Sequence, residues 1–324
     1  ARIENNTWAR NAAALDLQGD AHPTLAGNSG ENQWNGMVVR GTLTRNTVWG
    51  ASWFQGAGIP AVCYLTDDVV VGPGVRTFIA FDAPHRGANI PLGIQYWMQF
   101  FADQSAEAAH LQERLATPAA RQLLVYHATD PASAIASADP LRAAFLADLA
   151  AVGGDPALPR RVAIANGSGA GTGQGFAPGA QLVRYEYTSL LVDITGNVWA
   201  VGDGTSTQIF RGAIDYLWPP PEEELAVSVG GTRPYDNAPG GWRNSMAQMD
   251  SSSASYGDIV ALFPSHCFIP TTSALDLDVS DLFHDIAGDA ALHTRTPFHA
   301  VYFPSENQEH VLLTAQNAQW FLDE

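Results

Sequence analysis

The sequence has no lysine. All 16 basic residues are arginine, and 33 acidic residues bring the formal charge to −17 at pH 7. A field of that sign repels nucleic acid and anionic membrane surfaces. A lysine-free acidic surface fits a halophilic protein, soluble at high salt where screening weakens self-repulsion over a few Å; codon bias with a generic acidic surface accounts for the same composition. Cysteine is almost as scarce. Cys63 and Cys267 lie far apart inside apolar stretches (AVCYL and SHCFIP), which favours two buried thiols over a disulfide, and a metal site needs more ligands. No run of 18 uncharged apolar residues occurs, so no membrane-spanning helix is expected. The opening ARIENNTWARN has neither a basic n-region nor an apolar h-region, and without an initiator Met the removal of a leader stays open. No Gly-Lys phosphate loop is found.

What is present describes a globular chain. Its 324 residues are 46% hydrophobic with 30 Gly and 20 Pro, enough for one large domain or two small ones. Residues 3–17 (IENNTWARNAAALDL) are expected to be a helix, followed by a polar Gly/Asn-rich loop. RNTVWGAS, RTFIAFDAP, RRVAIANGS and HAVYFP are expected strands, the first two apolar nearly throughout as in strands covered on both faces. Residues 94–150 switch to Ala, Leu, Gln and Glu at helical spacing. QLVRYEYTSLLVDITGNVWAVG alternates around Thr195-Gly196-Asn197 and predicts a β-hairpin; TAQNAQWFLDE predicts a terminal helix.

Buried strands alternating with helices indicate an α/β protein with a mainly parallel sheet, whose sites lie at the carboxyl ends of its strands. Those ends deliver Ser52, then Asp82 with Pro84 and His85, then Asn166 and Ser168, then His310. A serine and a late histidine, each just past a strand, is the order of an α/β-hydrolase triad.

The segments FDAPHRGANIPLG, NGSGAGTGQGFAPG, CFIPTTSALD and NQEHVLLTAQNAQWFLDE together resemble the lipase branch of the α/β-hydrolases, and more closely secreted lipase-like hydrolases of the Bacteroidota type. The resemblance covers residues 75–324 and is weak before them. It implies an α/β-hydrolase-like sheet with a helical cap insertion, with or without the N-terminal strands of that fold. Residues 1–93 and 161–324 would form the core, the latter with a β-hairpin insertion, and 94–160 a cap or lid. It also implies a secreted or cell-surface location. A further chain or segment completing the sheet is the expected partner if strands are missing.

The implied chemistry is a serine esterase or lipase acting on a small hydrophobic ester, with no cofactor or metal. Ser52 is the expected nucleophile, Trp53 N–H an oxyanion donor, His310 the general base and Asp276 the acid that orients it, with Asp278 second. Ser168, in Gly167-Ser168-Gly169, is the alternative nucleophile. The elbow departs from G-x-S-x-G: Gly50-Ala51-Ser52 is followed by Trp53-Phe54, with Phe54 at the second glycine position. Related lipases carry the acid directly before an apolar-Pro segment, which here is His266, and DLDVSD also suits a solvated turn or a weak Ca²⁺ loop. His85, in the Pro-His-Arg-Gly turn at the wall of the cleft, is expected to be structural. A catalytically inactive hydrolase-fold protein serving as a binding or structural subunit is the alternative reading.

Overall fold

The computed structural model describes residues 77–128, 135–155, 159–218, 222–251 and 257–324, together with the backbones of ten short strands between residues 2 and 58. The protein is a mixed α/β structure with one parallel and one antiparallel sheet at its centre.

The parallel sheet has three strands, Thr77–Phe81, Arg160–Ile164 and Ala300–Tyr302, with the second in the middle. Val162, Ala163 and Ile164 are buried, the unbroken apolar run a doubly covered parallel strand requires. Because all three run the same way, the loops leaving their carboxyl ends emerge on one edge. RNTVWGAS does not join this sheet: Thr47–Trp49 pairs in parallel with Ser29–Glu31. Strand periodicity carries no information about which distant partner a strand selects. The segment expected as the opening helix carries short strands at Arg2–Glu4, Thr7–Ala9 and Leu15–Asp16; its Asn, Thr and Trp residues are mediocre helix formers.

The second sheet is larger than the expected hairpin insertion. Its five strands are ordered Glu223–Val229, Thr207–Tyr216, Val192–Trp199, Gln181–Thr188 and Asp258–Ala261, all antiparallel. The hairpin turns at Ser189–Leu191, where Ser189 Oγ accepts from the N–H groups of Leu191 (3.2 Å) and Val192 (3.1 Å). Thr195-Gly196-Asn197 is instead mid-strand. A Cβ on Gly196 would lie 2.5 Å from Trp97 Cζ3, so this glycine serves a close helix–sheet approach rather than a turn.

That helix, Leu92–Phe100, stands at the start of the expected lid over 94–160 and packs into the core. Ile94, Trp97 and Phe101 enter the core of the antiparallel sheet, with Trp97 ring centroids 5.9 Å from Tyr185 and 6.4 Å from Phe210. Met98 packs against that core and also against the core of the parallel sheet. The first helix of the expected cap is therefore cement between two sheets, because its apolar residues circle most of its surface. The helices Ala106–Leu115, Pro118–Leu123 and Pro140–Ala151 come next, capped by Ser105, Thr117 and Asp139. The terminal helix, Ala315–Asp323, opens with a Thr314/Asn317 capping box. Among the described residues no helix is long and apolar enough to cross a membrane.

Candidate active site

Asp82 directly succeeds the Thr77–Phe81 strand, and its N–H still donates to Ile164 O at 2.6 Å. Its backbone then enters the left-handed region at φ 47°, which Asp tolerates better than most residues. The turn aims the carboxylate across the end of the middle strand. Oδ1 accepts from Asn166 N–H at 3.0 Å, and Oδ2 lies 2.8 Å from His310 Nδ1. Both side chains are completely buried. Gly241 makes this possible: a Cβ there would sit 2.0 Å from Asp82 Oδ2.

His310 arrives on the loop after Ala300–Tyr302, and that loop is strapped down. His310 N–H donates to Trp242 O (3.0 Å), Trp242 N–H to Gln308 O (3.0 Å), and Gln308 N–H to Asn166 O (2.7 Å). Asn166 Nδ2 donates to Gln308 Oε1 and Leu312 O. Phe268 packs edge-on against the imidazole at 4.9 Å, and the Arg243 guanidinium lies over the same Phe268 ring at 5.8 Å. Arg243 also faces Glu309 at 3.5 Å; burial pulls its pKa down from the ordinary arginine value while Glu309 and Asp82 push it up. With Nδ1 held by a carboxylate, the imidazole carries its proton there and presents Nε2 as the proton-accepting atom. A carboxylate–imidazole pair excluded from water, with its tautomer set, can serve as the orienting half of an acid–base relay.

The structure brings His310 to this edge as expected, but the carboxylate it meets is Asp82, and neither Asp276 nor Asp278. Asp276 Oδ1 accepts from Arg86 Nε at 2.7 Å, and Asp278 Oδ1 is 3.6 Å from Arg86 Nη1. The short helix Thr271–Ala274, directly after the His266–Pro270 strand, leads these acids to the Pro-His-Arg-Gly turn and away from His310. Asp82 is among the groups delivered at strand ends; the chain order of the resembled triad points past it, since order along the chain does not state which carboxyl ends adjoin. Ser52 and Trp53 belong to a short strand, Ser52–Phe54, whose side chains lie outside the described residues, as does Cys63.

Ser168 is fully buried and donates to Ser305 O at 2.7 Å, a structural role. His85 is structural too: its ring packs edge-on against Phe298 at 5.2 Å, and burial lowers its pKa against the opposing pull of Asp276. Ser245 Oγ and His266 Nε2, 3.0 Å apart, have the spacing of a nucleophile–base pair. His266 Nδ1 must donate to Cys267 O (2.9 Å), so Nε2 accepts from the serine. Burial brings this imidazole down to about 4, a poor base near neutral pH, and the contact serves to satisfy the buried imidazole. Cys267 is a buried free thiol, as expected, its pKa pushed up by burial. Among the described residues no group of three or more His, Cys, Asp or Glu side chains is placed to hold a metal ion.

No family model, curated protein or solved structure matches this chain. The chemistry of the site rests on Asp82, His310 and the groups that hold them.

Proposed function

We propose that the protein is a serine carboxylic-ester hydrolase of α/β-hydrolase type, acting through an acyl-enzyme on a hydrophobic ester. The observation that supports this most is the buried Asp82–His310 pair at the carboxyl edge of parallel strands. In this reading Ser52 Oγ attacks the ester carbonyl as His310 Nε2 removes its proton. Asp82 holds Nδ1–H and stabilises the imidazolium, while the Trp53 N–H receives the developing oxyanion. His310 then returns the proton to the leaving alkoxide, and the same base activates the water that releases the acid.

A second reading, an inactive hydrolase-fold binding protein, is favoured by one feature: Phe54 stands where a nucleophile elbow carries its second glycine. Treating the protein with a fluorophosphonate probe and locating the label by mass spectrometry separates the two. The hydrolase reading expects turnover of short and medium acyl p-nitrophenyl esters and a label on Ser52 that depends on His310. Absence of both label and turnover establishes the second reading.

A further inference from the structure

Four large apolar side chains stand almost entirely in solvent at one end of the antiparallel sheet: Leu190 (88% exposed), Leu191 (73%), Leu217 (76%) and Trp218 (82%). They lie at the adjoining ends of two neighbouring strands, joined by the Leu217 N–H to Leu191 O hydrogen bond at 3.0 Å. Clustered exposed apolar residues of this size mark an interaction site. Just behind the tip, Asp193 and Asp215 are exposed and directly opposite one another on neighbouring strands, a like-charge pair that costs stability. The exposed Glu222 and Glu223 lie at the start of the next strand, followed by Glu224, which is paired with Arg211 at 3.0 Å. The feature is therefore an exposed apolar tip, the wedge of the sheet's end, with an acidic collar.

We propose that this wedge docks onto a zwitterionic, choline-headed lipid surface. Such a surface carries its quaternary ammonium outermost, at the level the collar carboxylates reach, and hydrocarbon beneath, where the leucines insert. Trp218 adds an amphipathic ring suited to the boundary. Charge complementarity thus matches the order of the layers. An anionic surface presents the wrong sign to the collar and to a chain of net charge −17. This anchoring is separate from ester hydrolysis and is read by binding alone.

Co-sedimentation of the full chain with phosphatidylcholine vesicles tests it, alongside vesicles in which a third of the lipid is phosphatidylserine. The expected result is binding to the former, weakened by the latter. The combined Leu190→Ser, Leu191→Ser, Leu217→Ser and Trp218→Ser variant should bind phosphatidylcholine at least about tenfold more weakly. It should melt like the parent, since these side chains pack against little. Asp193→Asn with Asp215→Asn should recover binding to the mixed vesicles. The proposal is overturned if the parent ignores phosphatidylcholine, if the serine variant binds as the parent does, or if phosphatidylserine strengthens binding. It is equally overturned if analytical ultracentrifugation shows a parent dimer that the serine variant loses, because the tip would then join two copies of the chain.

Discussion

Asp82 Oδ2 and His310 Nδ1 meet at 2.8 Å although the two residues are 228 positions apart, and neither side chain touches solvent. Asp82→Asn keeps the left-handed backbone preference and the oxygen that receives Asn166 N–H, but it favours the wrong imidazole tautomer. Ester turnover should fall by about a thousandfold or more with little loss of melting temperature. Asp276→Asn, which loosens only a half-exposed pair with Arg86, should leave turnover within a few-fold. Equal losses in the two variants would remove Asp82 from its assigned role.

Gly241→Ala places a methyl group on the Asp82 carboxylate, 2.0 Å from Oδ2 before relaxation. The carboxylate must move or the strand Gly240–Arg243 must retreat, and either breaks the alignment with His310. Steady-state kinetics should show a fall in kcat of about a hundredfold or more from a displacement near 1 Å. Unchanged kinetics would mean that the pair tolerates misplacement and is not the orienting unit.

Two fully buried groups give opposite pH dependences. Asp236 accepts from Asn89 Nδ2 (2.9 Å) and Val201 N–H (2.8 Å), yet burial raises it from 3.8 to about 6. A raised carboxylate contributes stability that is full below about pH 4 and lost as pH climbs through about 6. His266 is lowered from 6.5 to about 4, so its contribution is full above pH 6.5 and lost as pH falls through 4. Each is worth roughly 3 kcal/mol across its window, and between about pH 4 and 6.5 their slopes oppose. Urea denaturation should therefore show Asp236→Asn gaining stability with rising pH over that range, and His266→Gln losing it. Parallel profiles for parent and variants would refute the assignment.

The net charge of −17 predicts a salt response. Screening of repulsion between the crowded acids should raise the melting temperature from low salt to about 1 M NaCl, where the Debye length is about 3 Å. A flat or falling melting temperature measured by calorimetry would leave composition bias as the better account of the missing lysine.

Much of the site is legible because strand ends are written locally. FIAFDAP stops its strand at a residue that can turn and a proline that cannot pair, and VYFPSENQEHV places His310 after the last parallel strand and before a capped helix. Asp276 misleads because its local sequence suits a triad loop as well as it suits the salt bridge with Arg86. Gly196 misleads for the same reason. Between polar neighbours a glycine signals a turn, and only the arrival of Trp97, far earlier in the chain, makes it a packing residue.

Three features depend on periodicity, breakers and composition within a window of a few residues, and local sequence suffices for them: the mixed α/β class, the position of His310 beyond a strand's carboxyl end, and the lack of a long apolar helix among the described residues. Tertiary packing chose which carboxylate His310 meets, joined two sheets through Leu92–Phe100, and surrounded the expected hairpin with a five-stranded sheet. Those are choices among distant partners of similar local character. Burial, hydrogen-bond satisfaction and steric space, as at Gly241 beneath Asp82, select one of them only once the whole chain is packed.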